Sequence, residues 1–340
     1  MTETTMNRAC RHPDALLKRR DFLKAAAGTA AAAAMPGCAG VLYSDGGWRA
    51  GAAILRATYD ESILLEAIEA GLGLIEPPDV AGKRVLLKVN LVDLPRDNRP
   101  IVTDPAVIAA AAEAFRRRGA AEVVVADGPA LQRDAWEIVE AVGLAGLLDE
   151  QHLTFVDLST ADLAAVPNAG GLMGDLPTLY YSRPVLEADV IVSMPKMKTH
   201  HWAGVSLAMK NHFGMLSGLA HGWPRNQFHV RNLHHAVIDF IHTLRADYAI
   251  IDGVVGLEGD GPVRGTAVQA GVLVMGSNLP AVDATAARIM GVRPEAVDYL
   301  RMSAGVFGPI GEANITQLGE PIAAVRRPFR LMPHQWALAG

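Results

Sequence analysis

Residues 195–214 read PKMKTHHWAGVSLAMKNHFG and place three lysines, three histidines, a threonine and an asparagine within twenty positions. The whole chain holds only seven lysines, at positions 18, 24, 83, 88, 196, 198 and 210, against 24 arginines. An arginine-biased sequence that keeps lysine here points to a site that needs an ammonium specifically. Lysine is a compact point charge that reaches a phosphate or carboxylate, and burial lowers its pKa far enough for acid–base work. His200 titrates in the range such work requires. Lys88, Asn90, Asp127, Lys196, Lys198, Thr199, Lys210 and Asn211 are the candidate ligand-binding residues, with His200 and Asp252 as candidate proton-moving groups.

The elements that must position these groups alternate along the chain. Strand patterns cover 84–92, 121–128, 153–159, 188–195, 248–254 and 270–276, and helical patterns cover 104–119, 134–144, 236–246 and 279–291. The helix at 104–119 carries its own signals: Asp104 to cap it, Pro105 in its first turn, arginines in its last turn and Gly119 as its stop. Such alternation builds a mainly parallel sheet with helices on both faces, a single α/β domain that is Rossmann-like in the broad sense. Ligands bind beyond the carboxyl ends of strands in such sheets. Lys88 and Asn90, Asp127, the stretch from Lys196 to His200, and Asp252 all fall at that rim. A helix over 203–213 would put Lys210 on the same face as Ser206.

The N-terminus is a separate object. KRRDFLKAAAGTAAAAAMPGCAG has paired Arg19 and Arg20, then Phe-Leu-Lys, then a weakly apolar alanine-rich stretch, which is the pattern of a twin-arginine export signal. Gly37-Cys38 fits a lipoprotein cleavage site, with ordinary cleavage nearby as the alternative. The expected division is a signal over 1–38, a lead-in over 39–83, the α/β domain over 84–325 and a tail over 326–340. The expected location is exported, periplasmic or extracytoplasmic, touching a membrane only through the signal or a lipid on Cys38. Removal of the signal takes the formal charge from −5 to −8. An acidic body with no basic stripe argues against a nucleic-acid partner. The two cysteines, Cys10 and Cys38, leave a mature chain without the thiols for a disulfide or a cysteine-ligated iron–sulfur cluster.

Other motifs read more weakly. In GDGPVRG, Gly259 and Gly261 are followed by a glycine at 265, one residue late for a dinucleotide fingerprint, and a strand pattern follows instead of a helix. A tight turn, or a loop in which Gly259, Asp260 and Gly261 touch a ligand, are the remaining readings. Eight of eleven histidines lie between 200 and 242. His235, Asp239 and His242 share a helical face opposite Val237, Phe240, Ile241 and Leu244, so they are expected to form a solvated stripe. His200 with His201, or with Asp127 and Asp252, is the better metal candidate; neither metal nor organic cofactor is named by the sequence.

KVNLV, TDPAVIAAAAEAF, VVVADGP, ADVIVSMPKMKTHHWAGVSLAMKNHFG and IIDGVVGLEGDGPVRG together resemble the domain-of-unknown-function family 362 over residues 84–292. The family's Pro-Lys-x-Lys-Thr-His falls on Pro195 to His200, its Lys-Asn pair on Lys210 and Asn211, and its Gly-x-Gly-Pro on Gly259 to Pro262. The resemblance implies no reaction. Some members carry a ferredoxin-type cysteine module, which this sequence lacks. Two function classes follow: an enzyme acting on a small anion or cofactor, and an exported protein that only captures such a ligand or a metal.

Overall fold

The computed structural model describes residues 44–130, 133–222 and 226–340. Strands β1 (Ala50–Arg56), β2 (Arg84–Lys88), β3 (Glu122–Asp127), β4 (Thr154–Asp157), β7 (Val190–Ser193), β10 (Tyr248–Glu258), β11 (Thr266–Gly276) and β12 (Ile315–Gly319) form the central sheet in the order β12-β1-β11-β10-β7-β2-β3-β4. β8 (Lys196–His200) pairs off this path with β10 and with β9 (Gly204–Ser206), while β5 (Leu163–Pro167) and β6 (Thr178–Ser182) form a separate ribbon. The run β10-β7-β2-β3-β4 is parallel throughout, and β11 is antiparallel to both its neighbours. This is the α/β domain with a mainly parallel sheet that the alternation predicts.

Alternation along each strand divides the core in two. Val85 and Leu87 of β2 join Val123 and Val125 of β3 beneath α1 (Glu61–Leu74), α2 (Pro105–Arg117), α3 (Ala135–Ala141) and α4 (Leu144–Glu150). Leu86, Ala126 and Ile191 point the other way, against α5 (Asn226–Thr243) and α6 (Leu279–Ile289). Near-continuous Val, Leu and Ile in β2, β3 and β7 is what a strand covered on both faces requires. Asp104 caps α2 by accepting from Ala106 N, as its position before Pro105 implies.

Two local readings need correction, and three segments play parts that the local pattern does not assign. The stretch after Pro195 carries the sheet into the rim: β8 continues past β7 and pairs with β10 through Asp252 and Leu257, a long-range contact with no local signature. No helix spans 203–213; Gly204 adopts a left-handed conformation (φ 81°) in the β8–β9 hairpin, and a 3-10 helix follows over Lys210–Met215. Asp239 is not on a solvated stripe. It is fully buried and accepts from Leu172 N, Met173 N and Asn168 Nδ2, because the loop after β5 lays its unpaired backbone donors over that face. The segment expected as a lead-in supplies β1 and α1, and β1 pairs in parallel with β12 from the far end of the chain. The segment expected as a tail packs against the carboxyl end of β8, where Gln335 Nε2 donates to His200 O at 2.7 Å.

Candidate functional site

A cleft of about 960 Å³ opens at the carboxyl ends of β2 and β3, beside β8. Of the candidate residues, Lys88, Asn90, Asp127, Lys198, His200, Lys210, Asn211 and Asp260 line it. Lys196, Thr199, Asp252, Gly259 and Gly261 stand behind its wall. The sequence reading therefore names the floor of the cleft but merges two layers.

The rear layer is saturated. Lys196 Nζ lies 2.6 Å from Asp252 Oδ2 and 2.8 Å from the Tyr59 hydroxyl. Asp252 also accepts from Asp104 N, Val254 N and the Tyr59 hydroxyl, so it braces the start of α2 against β10. Burial, with Asp252 next, pushes the Tyr59 phenol far above its ordinary range. Asp252, expected to move protons, is held inside this buried network. Thr199 Oγ1 donates to Gly259 O at 2.9 Å and ties the glycine loop to β8. A Cβ on Gly261 would fall 2.0 Å from Thr199 O, so the loop's close approach is what requires glycine. The loop is the β10–β11 hairpin turn, and it turns Asp260, Pro262, Val263 and Arg264 toward the cleft.

At the floor, Lys88 is also paired. Its Nζ lies 2.5 Å from Asp127 Oδ1 and donates to Val89 O at 2.7 Å and Asn211 Oδ1 at 3.1 Å. Asp127 accepts from Leu91 N and Gly128 N, so each member of the pair is satisfied. Asn211 Nδ2 donates to Lys88 O at 2.9 Å, fixing the 3-10 helix to β2. Gly214 closes over the pair: a Cβ there would meet Asp127 Oδ1 at 2.2 Å and Lys88 Nζ at 2.6 Å.

Lys198 differs from both. It is 1 % exposed, and among the described residues its Nζ has no carboxylate partner, donating instead to Asn90 Oδ1 at 2.5 Å and Ile101 O at 2.7 Å. Burial, then the neighbouring Lys210 ammonium, drives its pKa well below the ordinary lysine value. His200 is driven well below its ordinary value by burial, with Lys210 next. His200 Nδ1 accepts from Trp202 N (3.1 Å) and Ala203 N (3.2 Å), so the neutral ring carries its proton on Nε2. A lysine whose ammonium form burial disfavours and a neutral imidazole N–H donor thus share one wall of the cleft.

His201, named only as a metal partner of His200, also lines the cleft, and residues that the sequence reading missed complete the walls: Asp93, Arg96, Asp97 and Arg99 from the loop after β2, Trp202 after β8, His229 on α5, and Arg264. With Lys198 set aside, five lysines and arginines line the cleft against four aspartates, an excess of positive charge in an acidic chain. Some of this charge is internally paired, as in Arg133–Asp93 at 3.1 Å and Arg99–Asp97 at 3.2 Å. Lys210 Nζ sits 4.7 Å from the Phe213 ring centroid, and the His200 and His201 rings approach to 4.9 Å. The loop DLPRDNRP directly follows a parallel strand, and that was the available signal for its role. Among the described residues no three His, Cys, Asp or Glu side chains are arranged to hold a metal ion. The metal grouping of His200 with Asp127 and Asp252 is not assembled, since both carboxylates are bound to lysines, and His200 with His201 gains no third ligand among the described residues.

Compared with known sequences, residues 85–288 match the family model described as domain of unknown function (DUF362). The chain belongs to the DUF362 family. A twin-arginine translocation pathway signal sequence matches residues 17–36, which addresses this DUF362 member to that export machinery. Arg19, Arg20 and Cys38 lie outside the described residues. A thylakoid-associated protein of Synechocystis sp. is 27% identical over 236 residues, covering 69% of this chain and 70% of its own. Among solved structures, the lactate racemase apoprotein of Thermoanaerobacterium thermosaccharolyticum aligns with a TM-score of 0.41 and 14% identity, over 72% of this chain and 59% of that one. A Thermotoga maritima protein aligns with a TM-score of 0.37 and 14% identity, over 60% of this chain and 52% of that one. The chain therefore spans little more than half the length of either solved structure. No helix among the described residues is long and apolar enough to cross a membrane.

Proposed function

We propose that this DUF362 protein is an exported enzyme that acts on a small organic anion bound in the cleft above β2, β3 and β8. The observation that carries the reading is Lys198: a lysine 1 % exposed, without a carboxylate partner among the described residues, beside a neutral His200. A protein that only captured an anion would favour permanently charged donors. A desolvated amine and an imidazole held as an N–H donor are the groups that proton transfer and polarisation of an oxygen call for. Lys210 and Arg264 supply positive charge for the ligand, and Asn90 and Asn211 orient the lysines. Lys88 and Asp127 set the shape of the floor. The mature protein works outside the cytoplasm, in the periplasm or its equivalent, and acylation of Cys38 ties it to the membrane surface.

The test is calorimetry of the mature protein against small carboxylates and phosphates, with Lys198→Met and Lys83→Met side by side. Lys83 lies at the surface near Asp79 and away from the cleft. Lys198→Met should weaken binding of the best anion by at least about tenfold, near 1.4 kcal/mol, because a polar contact to a charged ligand is lost and Asn90 loses its anchor, while Lys83→Met leaves it unchanged. Equal behaviour of the two variants removes the proposal.

A further inference from the structure

We propose that Lys198 is a nucleophile toward a carbonyl carbon, and that the anion the cleft takes is a 2-oxo carboxylate held as an imine on Lys198 Nζ. This rests on the anion-binding reading above and specifies its ligand. Three buried lysines stand at this end of the sheet, and two are committed as ammonium ions: Lys88 to Asp127 and Lys196 to Asp252. Among the described residues, Lys198 alone of the three meets only neutral acceptors, Asn90 Oδ1 and Ile101 O. Those two acceptors take two N–H bonds and hold the nitrogen in place, leaving its remaining tetrahedral direction as the one along which it can react. Burial and the adjacent lysine charges favour the uncharged amine, the form whose lone pair attacks.

The geometry supplies the other half of the reaction. Side chains two residues apart on a strand share a face, which puts His200 beside Lys198 on β8, and both line the cleft. With Nδ1 accepting two backbone N–H groups, Nε2–H is the donor left for a substrate oxygen. In the step, the Nζ lone pair forms a C–N bond to the carbonyl carbon while the C=O π pair moves onto oxygen, where His200 Nε2–H donates a hydrogen bond. One amine proton passes to that oxygen. The C–O bond then breaks as C=N forms, and the second amine proton leaves with the oxygen as water. An amine and a carbonyl compound become an imine and water, with no change of oxidation state. The carboxylate beside the carbonyl meets the positive charge that Lys210 brings to the same wall.

The mature protein is incubated at pH 7 with pyruvate and sodium cyanoborohydride, digested and mapped by mass spectrometry. The reduced adduct is expected on Lys198 at least tenfold above Lys83, and absent from Lys198→Arg, whose fold is checked by circular dichroism. Lactate, which has the carboxylate without the carbonyl, is titrated in parallel by calorimetry. If lactate and pyruvate bind but no adduct forms on Lys198, or if Lys83 is labelled equally, the imine proposal is overturned and the anion site stands. If neither binds and no adduct forms, both are overturned.

Discussion

Replacing Lys88 and replacing Lys198 by methionine are the same chemical change at two equally buried positions, yet the structure assigns them different outcomes. Lys88→Met strands the Asp127 carboxylate, 2 % exposed, with only backbone donors from Leu91 and Gly128 in place of the ammonium at 2.5 Å. Breaking a buried pair in this way costs about 3–5 kcal/mol, because a charge is left without its counterion. Lys198→Met strands no charge. It forfeits hydrogen bonds to Asn90 Oδ1 and Ile101 O, about 1–2 kcal/mol, and returns part of that by burying an apolar end where an amine had been desolvated. Adding Asp127→Asn to Lys88→Met removes the stranded charge and should recover much of the loss. Urea denaturation read by circular dichroism measures all of them. A Lys88→Met loss within about 1 kcal/mol of the Lys198→Met loss would show that the Lys88–Asp127 pair is not the buried ion pair described here, and the division between structural and reactive lysines would fall with it.

Three further outcomes are expected. Gly261→Ala should destabilise the glycine loop and loosen β8, since its Cβ would fall 2.0 Å from Thr199 O; a variant with unchanged urea midpoint and unchanged hydrogen exchange at residues 196–200 contradicts the packing. Acidification from about pH 6.5 toward 3 should cost stability through His212. Burial lowers its pKa to about 3, so the unfolded chain gains a proton in that window that the folded chain refuses, at up to about 1.4 kcal/mol per pH unit. Asp283, which burial raises to about 7, pulls the slope the other way, so the comparison is with His212→Gln, whose loss per pH unit should be smaller; an identical slope refutes the assignment. Arg19→Lys with Arg20→Lys should leave the protein in the cytoplasm, and Cys38→Ala should free it from the membrane fraction; normal export or unchanged fractionation, respectively, contradicts each reading.

The sequence made the sheet and its rim legible because both are written locally. Asp104-Pro105 before an alanine-rich run, and Val-Leu strands ending in Lys88 and Asp127, are statements that neighbouring residues make about one another. Which lysine meets which carboxylate is decided across long separations, Lys88 with Asp127 and Lys196 with Asp252, and only the fold reveals it. The same holds for β8, whose strand character comes from Asp252 and Leu257, and for β1, whose parallel partner is β12. Asp239 misled for a related reason. Its helical face looks polar and free until the loop at 168–174 lays its backbone donors across it.

The most direct measurement is the titration of His200 by nitrogen-15 NMR of histidine-labelled protein, assigned with His200→Gln, with and without a bound carboxylate. The structure predicts a neutral ring protonated on Nε2 throughout pH 6–8, its Nε2 resonance shifting when the anion binds and losing that response in Lys198→Met. An ordinary titration near 6.5, with no response to the anion, would contradict the claim that His200 and Lys198 form a reactive site.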